Sequence, residues 1–288
     1  MIPSASLKDG TLMPLYGLGT WKGTGEEVHA AVIHAVKCGY RLVDTAFMYE
    51  NEKEIGAAVA TLIGDGVVER KDLFIVTKLN IETHGKEGTM ASVQSSLEKL
   101  GTNYLDLVLI HTPRPGKIIE TYGTLLELRK EGKIKNVGVS NFGEEHLKKL
   151  MEAFPSEADT PAVNQVEFHP WLRHNSMMSY CKSKGILVMA FCPLVRMKKI
   201  GAELAPLVTK SLGLTEPQLL LRWAVHAGTV TIPKSVSPQR IEENLAAITK
   251  EETEELKAAL EKIDKMELEE FKASQACEGM TVPWDEVK

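Results

Sequence analysis

The chain has 288 residues, 43% of them apolar, and a formal net charge of −5. That is enough apolar material for one sizeable core and fits a single domain over 1–288; the acidic balance, with no Lys/Arg block, excludes a protein built to grip a nucleic-acid backbone. No apolar stretch reaches the roughly 18 residues of a membrane span, so no membrane partner and a cytoplasmic location are expected.

The start, SASLKDGTLMPL, holds two short extended runs around Asp9-Gly10, a hairpin signal. Apolar, strand-like runs then recur at 15–20, 41–46, 73–79, 104–111, 134–140, 162–168, 186–192 and 229–233. Between them lie helical segments that close on glycine: EEVHAAVIHAVKCG on Gly39, NEKEIGAAVATLIG on Gly64, TMASVQSSLEKLG on Gly101, with the stretches ending at Gly132 and Gly185 alike. Strict alternation of strand and helix predicts parallel strands with right-handed crossovers. Eight such units favour closure into an α/β (β/α)8 TIM barrel, with the doubly wound open sheet as the alternative. Two helical segments, GAELAPLVTKSLG and TEPQLLLRWAVHAG, precede the eighth run, so one of them is extra; TKEETEELKAALEKID adds another. A tail without clear periodicity runs from Met266 to the end.

The four cysteines, Cys38, Cys181, Cys192 and Cys277, are widely spaced with no C-x-x-C pair, which points to free thiols, and no metal site is expected. G-x-S-x-G and H-E-x-x-H are both missing, and His29 and His34 read as packing residues. Asp44, Tyr49, Lys78 and His111, by contrast, each sit at or just past the end of a strand-like run. In a parallel barrel these ends open on one face, so the four residues converge there. A carboxylate, a phenol, an amine and an imidazole in one place can make a proton relay. Any one of them alone reads equally well as ordinary packing.

The segments GLGTW (17–21), DTAFMYENE (44–52), VTKL (76–79), LIH (109–111), GVSNF (138–142), NQVEFHP (164–170) and IPKS (232–235) resemble, in order, the aldo-keto reductases. The resemblance implies a nicotinamide-dependent barrel, usually monomeric, that reduces small-molecule carbonyl substrates. It also implies an N-terminal hairpin over the barrel's closed end and a C-terminal tail over its mouth. Carbonyl reduction needs a proton delivered to oxygen, and Tyr49 is the expected donor, its phenolate favoured by Lys78, with Asp44 holding the ammonium and neutral His111 orienting the substrate. Because the family includes channel-associated subunits and lens crystallins, a nicotinamide-binding regulatory or structural protein is the second reading.

For the cofactor, GLGTWKGTG fails the G-x-G-x-x-G pattern at Lys22, so a Rossmann site has no support. In IPKSVSPQRIEEN, Ser237 caps a predicted helix that begins at Pro238, and Lys234, Ser235 and Arg240 cluster beside its free N–H groups. Such a cluster suits a dianionic phosphate, and the family uses the matching positions for the 2′-phosphate of NADP, so NADPH/NADP+ is the expected cofactor. The resemblance further places Ser140, Asn141 and Gln165 at the nicotinamide amide, Glu243 and Asn244 at the adenine, and Thr20, Asp44, Phe191, Cys192 and Leu194 beside the cofactor. Phe191 and Cys192 stand where tyrosine and serine are common, and Thr112 where tryptophan is. Phe191 keeps an aromatic face to stack on nicotinamide. Arg196 meets either the cofactor pyrophosphate or an acidic substrate. Trp21, Phe142, Tyr49 and His111 are the expected pocket residues, with Phe47 and Trp284 as further candidates.

Overall fold

A computed structural model describes residues 2–288. An antiparallel hairpin, β1 (Ser4–Ser6) and β2 (Leu12–Pro14), precedes eight parallel strands in sequence order: β3 (Leu18–Gly19), β4 (Leu42–Asp44), β5 (Phe74–Lys78), β6 (Leu105–Ile110), β7 (Ile134–Ser140), β8 (Val163–Glu167), β9 (Leu187–Phe191) and β10 (Val230–Thr231). The Gly17 amide donates to Thr231 O (3.0 Å) and the Gly19 amide to Pro233 O (3.0 Å), which joins the first strand to the last and closes the barrel.

The closure explains the glycines of GLGTW. A side chain at Gly17 would meet Leu42 Cδ2 at 2.1 Å, and one at Gly19 would meet Ile232 O at 2.9 Å. Both are required by close backbone approach rather than by a phosphate.

Each strand is followed by one helix: α1 (Gly25–Cys38), α2 (Glu52–Gly64), α3 (Lys86–Leu100), α4 (Ile118–Lys130), α5 (Glu144–Ala153), α6 (Asn175–Lys184), α7 (Glu216–His226) and α8 (Pro238–Thr249). Gly39, Gly101, Gly132 and Gly185 terminate their helices in left-handed conformation, as expected; after α2 that role falls to Gly66 rather than Gly64. The expected helix over 201–213 does not form. Only a 3-10 turn, Ala205–Leu207, occurs there, because Pro206 removes an N–H and Gly201 and Gly213 take positive φ. Only α9 (Glu254–Lys265) is therefore extra to the eightfold repeat.

Two packed layers follow from the period-two alternation of the strands. Leu42, Phe74, Val76, Leu107, Leu109, Val163, Met189, Val230 and Ile232 fill the barrel, and the hairpin residues Leu7 and Met13 plug its N-terminal end. Their neighbours Val43, Ile75, Val108, Ile110, Val166, Val188 and Ala190 point outward to the helices.

Beyond α9 the tail crosses the opposite end, over the loops after β6, β7 and β8. Its Ala273 amide and Cys277 thiol donate to Glu167, Val282 O meets His146 Nε2 at 2.6 Å, and Val287 O accepts from the Ile118 amide at 3.1 Å.

Candidate active site

The same alternation that builds the interior layers sets the site. Two residues beyond inward Leu42 comes Asp44, two beyond Val76 comes Lys78, two beyond Leu109 comes His111, two beyond Val163 comes Gln165, and two beyond Met189 comes Phe191. The top layer of the barrel is thus polar where the lower layers are apolar. Tyr49 enters from the loop after β4, on a 3-10 turn (Phe47–Tyr49).

Lys78 and Asp44 are 1% and 2% exposed. Lys78 Nζ donates to Asp44 Oδ1 (2.8 Å), to Thr45 O (2.8 Å) and to Tyr49 Oη (3.3 Å), while Gln165 Nε2 donates to Asp44 Oδ2 at 2.7 Å. The ammonium is fully partnered and lies against the phenol. The rings of Tyr49 and His111 stand edge to face with centroids 5.9 Å apart, and His111 Nδ1 is buried with no hydrogen-bond partner.

Burial works against the charge of Lys78, yet Asp44 and Tyr49 together outweigh it and hold the amine above its ordinary range. His111 is pushed down to about 3 by burial, then by the Lys78 ammonium and by the neighbouring His84, so it is a neutral imidazole. Tyr49 corrects one expectation. Lys78 does favour the phenolate, but burial opposes it more strongly and the phenol is raised above its usual value, which keeps its proton in place.

The cofactor candidates divide by location. Ser140 Oγ donates to Gln165 O (2.9 Å), and Asn141, held at φ +60°, donates to His111 O (3.0 Å). Asn141 Oδ1 is buried without a partner, an acceptor aimed at nothing in the chain. Phe191 is half-buried at the top of the interior layer, beside Cys192 and Leu194. Thr20 donates its hydroxyl to Asp44 O at 2.9 Å and is 1% exposed, so its side chain serves the loop around Asp44.

At the α8 end, Ser237 Oγ receives the Arg240 amide at 3.5 Å, and Ser235 Oγ receives the Ser237 amide at 3.2 Å. Lys234 and Arg240 are exposed, and among the described residues neither pairs with a carboxylate. Free cations beside a helix start with no acid in its first turn fit a phosphate. Glu243 is held by Gln239 (2.7 Å), and Asn244 is 8% exposed. The mouth thus holds an unpartnered amide acceptor, and the start of α8 holds unpaired cations.

The pocket residues are less uniform. Trp21 is 38% exposed, with Lys22 Nζ 4.6 Å and Arg196 Cζ 4.8 Å from its ring. Phe142, however, is fully buried edge-on to His146 and offers no surface to a substrate; Trp284 lies beside the same His146, and Phe47 lies under Lys99 Nζ at 3.9 Å. Thr112 has a structural reason: the tail backbone at Gly279 passes so close that a Cβ there would meet Thr112 Oγ1 at 2.9 Å.

Two residues escaped the sequence reading. Asn51, fully buried, accepts from Thr45 Oγ1 (2.6 Å) and donates to Thr20 O (3.0 Å) and Gly23 O (2.9 Å), pinning the loops after β3 and β4 around Tyr49. His84 presents a buried, unpartnered Nε2 near His111. Neither position carries a spacing signal; only the folded loops bring them in.

Fold and site together define a barrel oxidoreductase. The chain belongs to the aldo-keto reductase family: the family model, Aldo/keto reductase family, matches residues 16–265. The chain is 40% identical over 242 residues to a glyoxal reductase of Bacillus subtilis (84% of this chain, 85% of the relative). It is 38% identical over 246 residues to 2,5-diketo-D-gluconic acid reductase B of Corynebacterium sp. (84% and 86%). A crystal structure of a Bombyx mori aldo-keto reductase in complex with NADP superimposes with a TM-score of 0.81 at 32% identity, covering 91% of this chain and 93% of that one.

Proposed function

We propose that this protein reduces aldehydes and ketones to alcohols with NADPH, with Tyr49 as the proton donor. The observation that carries the reading is the single ammonium of Lys78, buried between the Asp44 carboxylate and the Tyr49 hydroxyl. Bound nicotinamide supplies the hydride to the carbonyl carbon.

The chain's residues do the rest. Tyr49 holds a proton at Oη, and as negative charge develops on the substrate oxygen that proton transfers to it. Lys78 stabilises the phenolate left behind and costs no reorganisation, because Asp44, itself held by Gln165, already fixes its position. His111, neutral, donates a hydrogen bond that orients the carbonyl oxygen toward Tyr49. Ser140 and Asn141 would hold the carboxamide, Phe191 would offer its ring face to the nicotinamide, and Lys234, Ser235 and Arg240 would hold the 2′-phosphate.

The test is consumption of NADPH against NADH by the purified protein with a panel of aldehydes, ketones and quinones. Turnover with NADPH preferred is expected. NADPH binding without turnover on any carbonyl would contradict the reading.

A further inference from the structure

On the outside of the barrel α1 packs against α8, and the Tyr40 hydroxyl, just past α1, donates to Ile241 O at 2.9 Å. His34 and Cys38 lie four residues apart on α1 and so share one face. Glu242 meets that face from α8. His34 Nε2 is 2.8 Å from Glu242 Oε1, and the imidazole nitrogen, the thiol sulfur and a carboxylate oxygen all lie within 4.8 Å of one another. His34 Nε2 is closed off from water and has the Glu242 carboxylate as its near neighbour.

We infer that His34, Cys38 and Glu242 form a three-ligand site for a zinc-class divalent cation. A mixed nitrogen, sulfur and oxygen set selects a borderline ion over calcium or magnesium, which take oxygen ligands. With Zn–S near 2.3 Å and Zn–N or Zn–O near 2.0 Å, tetrahedral ligands of this set sit about 3.3–3.5 Å apart. The present spacing closes to that by small rotations, and the side chains have room for them: His34 is 31% exposed and Glu242 61%. Binding breaks the Cys38 S–H bond, releases that proton to solvent and forms a metal–thiolate bond; water fills the fourth position.

The site is separate from the proton relay, and the inference stands whether or not the chain reduces carbonyls. Its consequence reaches the cofactor end all the same. Glu242 precedes Glu243 and Asn244 on the helix whose start carries Ser237 and Arg240, so a bound ion ties that helix to α1.

The test uses the full-length protein, reduced and freed of metal, titrated with Co2+ as a coloured stand-in and then with Zn2+. One equivalent of Co2+ should give a thiolate-to-cobalt charge-transfer band together with strong visible bands, and Zn2+ should remove both. Cys38→Ser and His34→Gln should weaken binding at least about tenfold, Glu242→Gln less, and Cys192→Ser not at all. Zn2+ should raise the Tm of the wild type and not of Cys38→Ser, whose unchanged circular dichroism and metal-free Tm check its fold. Absence of the charge-transfer band in the wild type, or its persistence in Cys38→Ser, overturns the proposal.

Discussion

At Lys78 a cation is taken almost wholly out of water and kept charged by one carboxylate. Removing one partner of such a pair strands the other, at a cost of about 3–5 kcal/mol. Lys78→Met should therefore lose that much stability in urea unfolding besides depressing turnover, and adding Asp44→Asn should recover part of the stability and none of the activity. At the other end of the site, Arg240→Ala should raise the Kd for NADPH by about tenfold or more, the worth of a charge-assisted hydrogen bond, and leave that for NADH unchanged. At the mouth, Arg196 lies over the exposed ring of Trp21. Arg196→Met should raise KM for carbonyl substrates that bear a carboxylate more than for neutral ones of the same size; equal changes would assign Arg196 to the cofactor instead. Asp44, Lys78 and His111 were legible because strand parity decides which side chains face inward, and Tyr49, on a loop turn, because it stands in the segment DTAFMYENE. Asn51 and His84 were not, because loop paths decide their contacts.

Among the elements, the tail is the one whose position depends on single close contacts. Gly143 begins the turn into α5, and a Cβ on it would meet Met280 O at 2.3 Å. Its φ of −76° suits any residue, so alanine there strains only the tail contact. Gly143→Ala should speed hydrogen exchange across 279–283 and change KM for bulky substrates, with exchange in β4 to β6 unchanged. The sequence pattern located the hairpin, the eight strands and every barrel helix but α5, which has no glycine stop and was implied only by the alternation. It misplaced a helix over 201–213, where apolar spacing looked helical but Pro206 and two glycines at positive φ hold the chain in turns. The tail had no period to read, because hydrogen bonds to Glu167, His146 and Ile118 fix it rather than a repeating face.

For the whole molecule, four histidines, His84, His111, His146 and His174, are held below their ordinary value of 6.5, with burial the leading cause in each. Between the lowered folded values and 6.5 the unfolded chain binds more protons, so acid favours unfolding. Stability from these groups is complete above about pH 6.5 and is lost as pH falls, for His111 down to about 3. Urea unfolding from pH 7 to 4 should show this decline, and His111→Gln should remove up to about one proton from its slope. The cations at the start of α8 are not hydrogen-bonded to Tyr49, so binding and chemistry should separate in a variant there. The most direct measurement is Tyr49→Phe, followed by NADPH binding through tryptophan fluorescence and by turnover through the absorbance of reduced nicotinamide. Binding within about threefold of wild type, with reduction at least about 100-fold slower, is the predicted result. Wild-type turnover in that variant would contradict Tyr49 as the proton donor.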